Sequence, residues 1–93
     1  MTQNEIEKLL VEVVCEIQNL SGRVAVPVSN GTRPVLDMPG FDSLNGVEAT
    51  VDVVDRLQQN LDFSNVFVDN DRALTIQEAA ARLFSCANKK SRT

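Results

Sequence analysis

The chain contains no histidine, tryptophan or tyrosine, and its 93 residues include only four phenylalanines and two cysteines. Without histidine there can be no Ser-His or Cys-His nucleophilic pair and no His-containing metal site. Cys15 and Cys86 fall in segments that read as helices. No signal peptide and no apolar run of membrane length is read, so both are expected to be reduced thiols in a cytoplasmic protein that does not insert into membranes. Carboxylates are plentiful, but none pairs with a base, a nucleophile or a metal ligand. No catalytic residue and no metal is therefore expected, and the chain does not read as an enzyme. Positive charge is also scarce: nine bases face thirteen acids, for a net charge of −4. Lys89, Lys90 and Arg92 lie at the C-terminal end, so six bases against thirteen acids leave residues 1–88 at −7. A body this acidic speaks against nucleic-acid binding and for partners that present basic patches.

What the chain does have is helical periodicity. Its 43% apolar content suits one modest core, and the expectation is a single domain over 1–93, with a core over about 4–87 and a flexible basic tail over 88–93. Ile6, Leu9, Leu10, Val13, Val14, Ile17 and Leu20 recur at spacings of three and four, which predicts an amphipathic helix over 4–20, with Val11 and Cys15 off its main stripe. Asn4 with Glu7 suggests a capping box, and Ser21-Gly22 a stop. Over 23–39 the helical spacing disappears. Pro27, Pro34, Pro39 and Asn30-Gly31 forbid a continuous helix. Alternation of Val24, Val26 and Val28 allows a short strand, but a lone strand has nothing to pair with. The reading is a long ordered loop pinned to a helical core by Val26, Val28, Val35, Leu36 and Met38.

A second helix is predicted over 44–60, with Val47, Val51, Val54, Leu57 and Leu61 as its buried face and Thr50 within that arc. Asp42 or Ser43 would be its N-cap, setting the Ser43 hydroxyl at the positive end of the helix dipole, a favourable place for a phosphate. Gly46 in the first turn is either neutral or leaves room beside Ser43. Glu48, Asp52 and Asp55, at i, i+4 and i+7, form an acidic ridge on one flank. Between residues 61 and 74 the pattern is mixed, and a short irregular or 3₁₀ helix anchored by Phe63 and Phe67 is expected before the turn-rich Asp69-Asn70-Asp71. Thr75-Ile76-Gln77-Glu78 reads as a capping box opening a last helix, with Ile76, Ala79, Ala80, Leu83, Phe84 and Ala87 as its apolar stripe.

The words Gly40-Phe41-Asp42-Ser43-Leu44, Val47-Glu48 and Leu74-Thr75-Ile76 with Glu78, in this order of elements, resemble the acyl carrier proteins over about residues 4–87. The resemblance implies an all-α four-helix bundle of acyl-carrier type, with three longer helices, a short third helix and a long loop between the first and second. It implies that Ser43 is the attachment point for 4′-phosphopantetheine, transferred from coenzyme A by a separate phosphopantetheinyl transferase, with Asp42 and Leu44 beside it. Such a protein carries acyl intermediates as thioesters on that arm, in fatty-acid, polyketide or other specialised biosynthesis. It further implies docking of acyl-loading and acyl-processing enzymes through Val47, Glu48 and Val51, a surface that Asp52 and Asp55 extend in this sequence, and the chain is expected to be monomeric. Phe63, Val66 and Phe67 would line any space between the second and third helices in which an acyl chain is held. Arg56, the valine-rich second helix and residues 69–73 depart from the fatty-acid form and suggest a specialised free-standing carrier. The rival reading is a helical adaptor that binds a basic protein partner through the same acidic helix and carries no arm.

Overall fold

The computed structural model describes residues 2–23, 26–58 and 64–90, the last four as backbone only. Among these, the chain is mostly helical. Three long helices, α1 (Gln3–Leu20), α3 (Ser43–Leu57) and α4 (Ile76–Lys90), are joined by loops carrying a four-residue helix, α2 (Pro34–Asp37), and a small hairpin of β1 (Val68–Asp69) and β2 (Arg72–Ala73). Helix α1 packs against both α4 and α3. Ile6, Leu10, Val13 and Val14 of α1 meet Ala49 and Val53 of α3, Ile76, Ala79, Ala80 and Leu83 of α4, and Met38, Phe41, Val66 and Phe67 of the loops in one buried cluster.

Helix α1 starts earlier than its apolar stripe suggests. Thr2, not Asn4, is the N-cap: the Glu5 amide donates to Thr2 Oγ1 at 3.2 Å and the Thr2 amide to Glu5 Oε1 at 2.8 Å. Glu7 instead turns inward and is buried. The helix stops at Ser21, with Gly22 at φ +68°. Leu20 is 88% exposed, off the end of the buried stripe. Val11 and Cys15 are half-buried.

No strand forms over 26–33, and Val24 lies outside the described residues. Val26, Val28 and Val35 pack on the core and Met38 is buried within it, whereas Leu36, on the outer side of α2, is 71% exposed. Pro34 opens α2, where its missing N–H costs nothing. The loop also closes off the last helix: the Ile76 amide donates to Thr32 O at 2.9 Å and the Gln77 amide to Asn30 O at 3.0 Å. The Thr75–Glu78 capping box forms as read, with both of its hydrogen bonds made. Ile76, Ala79, Ala80 and Leu83 are buried and Phe84 half-buried, while the side chain of Ala87 lies outside the described residues. The helix continues through Asn88 to Lys90, so the segment expected as a tail is helical up to that point; residues 91–93 lie outside the description.

The short helix expected over 61–74 is not found where the chain is described. Residues 61–63, with Leu61 and Phe63, lie outside the description. From residue 64 the chain makes turns and then the antiparallel hairpin, Val68 opposite Ala73 and Asp69 opposite Arg72. Asn70 and Asp71 both take positive φ, +49° and +67°. Two consecutive left-handed residues match the twist of paired strands, and Asn and Asp tolerate that conformation better than other non-glycine residues. Val66 and Phe67 are fully buried. Among the described residues, the one short helix, α2, precedes α3.

Candidate functional site

The segment 39–48 is built from its two ends inward. Gly40 has φ +76°, and a Cβ there would stand 2.9 Å from Cδ and Nε of Arg23, so the Arg23 side chain lies against the bare α-carbon. Gln18 Nε2 donates to Pro39 O at 2.7 Å. Phe41 is buried with its ring edge-on to Phe67, the centroids 6.3 Å apart. Such pairing of an anchor on each side fixes the direction in which the chain enters α3.

Asp42 is the N-cap. The Asn45 amide donates to Asp42 Oδ1 at 3.1 Å, and the Asp42 amide to Asn45 Oδ1 at 3.3 Å, a capping box with asparagine in the place where glutamate is commoner. Asn45 Oδ1 also accepts from Arg23 Nη1 at 2.8 Å, and Asn45 Nδ2 donates to Glu48 Oε1 at 3.1 Å. Ser43 is the first helical residue and is exposed. Its carbonyl accepts from Asn65 Nδ2 at 2.9 Å. Ser43 lies where two open grooves meet. One, of about 630 Å³, runs between Leu44 and Val47 on one side and Ser64, Asn65, Val68, Asn70 and Asp71 on the other. The other, of about 550 Å³, is lined by residues 35–43.

The buried face of α3 differs from the valine stripe. Asn45, Gly46, Ala49, Thr50 and Val53 point inward; Val47, Val54 and Leu57 are half-buried, and Val51 is 64% exposed. Small residues win because α3 is drawn close to the segment 65–67. Thr50 Oγ1 donates to Gly46 O at 2.7 Å and accepts from the Val66 amide at 2.9 Å. Leu44, Val47 and Val51 are left facing outward beside Glu48.

Of the three acids on the ridge, Glu48 and Asp55 are exposed and Asp52 is engaged. Arg56 Nε donates to Asp52 Oδ1 at 2.9 Å, its Nη2 reaches Glu16 at 3.0 Å, and its Nη1 lies 3.6 Å from Glu12. The Asp52 hydrogen bond, with Glu16 adding to it, raises the Arg56 pKa above its ordinary value. The ridge is therefore interrupted by a cation that ties α3 to α1. Among the described residues, no group of three or more His, Cys, Asp or Glu could hold a metal ion, and no helix is long and apolar enough to cross a membrane.

Compared with protein-family models, curated proteins and solved structures, the chain matches none. The site is therefore read from its own geometry. The structure brings Asp42, Ser43, Leu44, Val47 and Glu48 together at one end of α3, and leaves Asp52 and Asp55 further along it. Sequence reading passes over Arg23 and Asn65, each of which meets its partner in the site across 22 positions. Gly46, read as neutral or as leaving room beside Ser43, makes room for Asn65, which no local pattern identifies.

Proposed function

We propose that this chain is a free-standing carrier of acyl groups, with 4′-phosphopantetheine joined to Ser43, in a helical bundle of acyl-carrier type. The observation that carries this reading is the exposure of Ser43 as the first residue of a fifteen-residue helix, capped by Asp42 and flanked by two grooves. The residues fit such a group. A phosphodiester on Ser43 Oγ would lie at the positive end of the helix dipole, and the groove beside it offers both apolar and polar side chains to an extended arm. In the attachment step, catalysed by a separate transferase with magnesium, the Ser43 Oγ–P bond forms as the pyrophosphate bond of coenzyme A breaks. The serine proton is lost and the nucleotide half leaves. Once attached, the arm supplies a terminal thiol that holds acyl groups. The protein's own residues supply the address: Leu44, Val47 and Val51 present apolar contact, and Glu48 presents charge to a basic docking patch. Such a carrier would act as a monomer in the cytoplasm.

Incubation of the apo-protein with coenzyme A, magnesium and a broad-specificity phosphopantetheinyl transferase, followed by intact mass measurement, tests this. The expected result is a gain of one phosphopantetheine, absent in Ser43→Ala. No gain by the wild type, under conditions that modify a known carrier, overturns the reading and leaves the adaptor that binds a basic partner through α3.

A further inference from the structure

The backbone of Ser43 is held from two directions. On its N-terminal side the Asp42–Asn45 capping box closes the first turn of α3, and the Gly46 amide donates to Asp42 O at 3.0 Å. On the other side Asn65 uses both ends of its amide: Nδ2 donates to Ser43 O at 2.9 Å, and Oδ1 accepts from the Phe67 amide at 3.0 Å. With both ends committed, the amide plane cannot rotate without losing a bond. It lies directly over Gly46. A Cβ on that residue would stand 2.6 Å from Asn65 Oδ1 and 2.7 Å from Nδ2, closer than side chains approach, so the glycine and the asparagine form a matched pair. The backbone around Asn65 is itself fastened down. Arg82 Nη1 donates to the carbonyls of Asn65, Val66 and Val68 at 3.4, 3.2 and 3.0 Å, and Thr50 binds the Val66 amide.

We propose that Asn65, seated on Gly46, is a positioning residue for modification of Ser43. It fixes the serine's peptide against the body of the protein, so that a transferase meets the hydroxyl at a preset place and does not have to order the first turn of α3 on binding. This inference rests on the carrier reading above. A residue that only added stability would have no particular reason to touch the backbone of the attachment residue itself. The pairing with Gly46 also makes a prediction that helix propensity reverses, because alanine is a better helix former than glycine.

Two substitutions test it. Asn65→Asp keeps the acceptor for the Phe67 amide and the side-chain shape, but removes the donor to Ser43 O and sets a carboxylate against that carbonyl. Gly46→Ala pushes the Asn65 amide aside without altering it. For both, the KM of the transferase for this protein should rise roughly fivefold or more, the scale of one lost hydrogen bond, with kcat within about twofold. Amide hydrogen exchange at Asn45 and Gly46 should quicken in both, and the double variant should be little worse than either single one. Wild-type KM in either variant, with circular dichroism showing the fold intact, overturns the proposal. Failure of the wild type to be modified at all defeats the carrier reading instead. Exchange then decides only whether Asn65 holds the first turn of α3: faster exchange at Asn45 and Gly46 in Asn65→Asp shows that it does, and unchanged exchange overturns that too.

Discussion

Glu5 and Glu78 each accept the backbone amide of the threonine that caps their helix, and that hydrogen bond, the largest contribution in both, holds their pKa below the ordinary value of 4.5. A carboxylate whose folded pKa is depressed stabilises the fold above its unfolded pKa, and that stabilisation is lost as pH falls through the lower folded value. In Glu78→Gln the amide bond to Thr75 can persist but the proton linkage cannot. The urea midpoint of the wild type should therefore fall more steeply than that of Glu78→Gln between neutrality and about pH 3; parallel curves would contradict this. Thr75→Ala should cost about 1 kcal/mol at neutral pH. Both partners of this box lie within four residues and could be read from the sequence, whereas the N-cap of α1 is Thr2 and not the expected Asn4. Asn4 with Glu7 has the same spacing as Thr2 with Glu5, and what separates them is tertiary: Glu7 is buried in the fold. Asn65 could not be read at all, since a polar residue in an irregular stretch shows nothing of a partner 22 positions away.

At the scale of the element, α1 and α4 follow their periodicity because their apolar stripes are large and unambiguous. Helix α3 offers two faces, one of valines and one containing Gly46, Ala49, Thr50 and Val53. Counting apolar side chains favours the valines, but close approach to the segment 65–67 requires small residues and a hydroxyl that both gives and accepts a hydrogen bond. Thr50→Val tests that account, since it keeps the volume and removes only the hydroxyl. It should leave the buried Val66 amide without its acceptor and cost roughly 1–3 kcal/mol in urea unfolding, while Thr50→Ser retains most of the wild-type value. A loss in Thr50→Val no larger than about 0.5 kcal/mol, the level of an ordinary surface change, would show that packing alone selects this face. The hairpin over 68–73 escaped helical reading for a related reason. Val66, Phe67 and Val68 look alike as apolar residues, and only the left-handed pair Asn70-Asp71 determines that the chain reverses there.

Over the whole molecule, the acidic balance is arranged unevenly. Arg56 gathers Glu12, Glu16 and Asp52 into one network at the seam of α1 and α3, and Glu48 lies outside it, beside Leu44 and Val47. The bond from Asn45 holds the Glu48 carboxylate in place, so its field acts from a fixed point. Glu48→Lys should slow loading by a partner enzyme severalfold at low salt, with rates converging toward wild type once the Debye length falls well below about 10 Å. Its melting temperature should stay unchanged. Equal loading rates across the salt series would remove Glu48 from the docking surface. The mostly helical layout and the serine at a helix start were legible at this scale from element order alone. Helix α2 was not, because four residues beginning at Pro34 carry too little pattern to register.

The amides at the start of α4 are received by the carbonyls of Asn30 and Thr32, main-chain atoms that every residue type possesses. Recognition of this kind is blind to side chains. Over evolutionary time the loop is free to drift in sequence, since almost any substitution leaves the two acceptors where they are. Its length is not free, because one inserted or deleted residue moves both acceptors out of reach. Among related chains, this loop should be conspicuous for a constant spacing beneath changing letters.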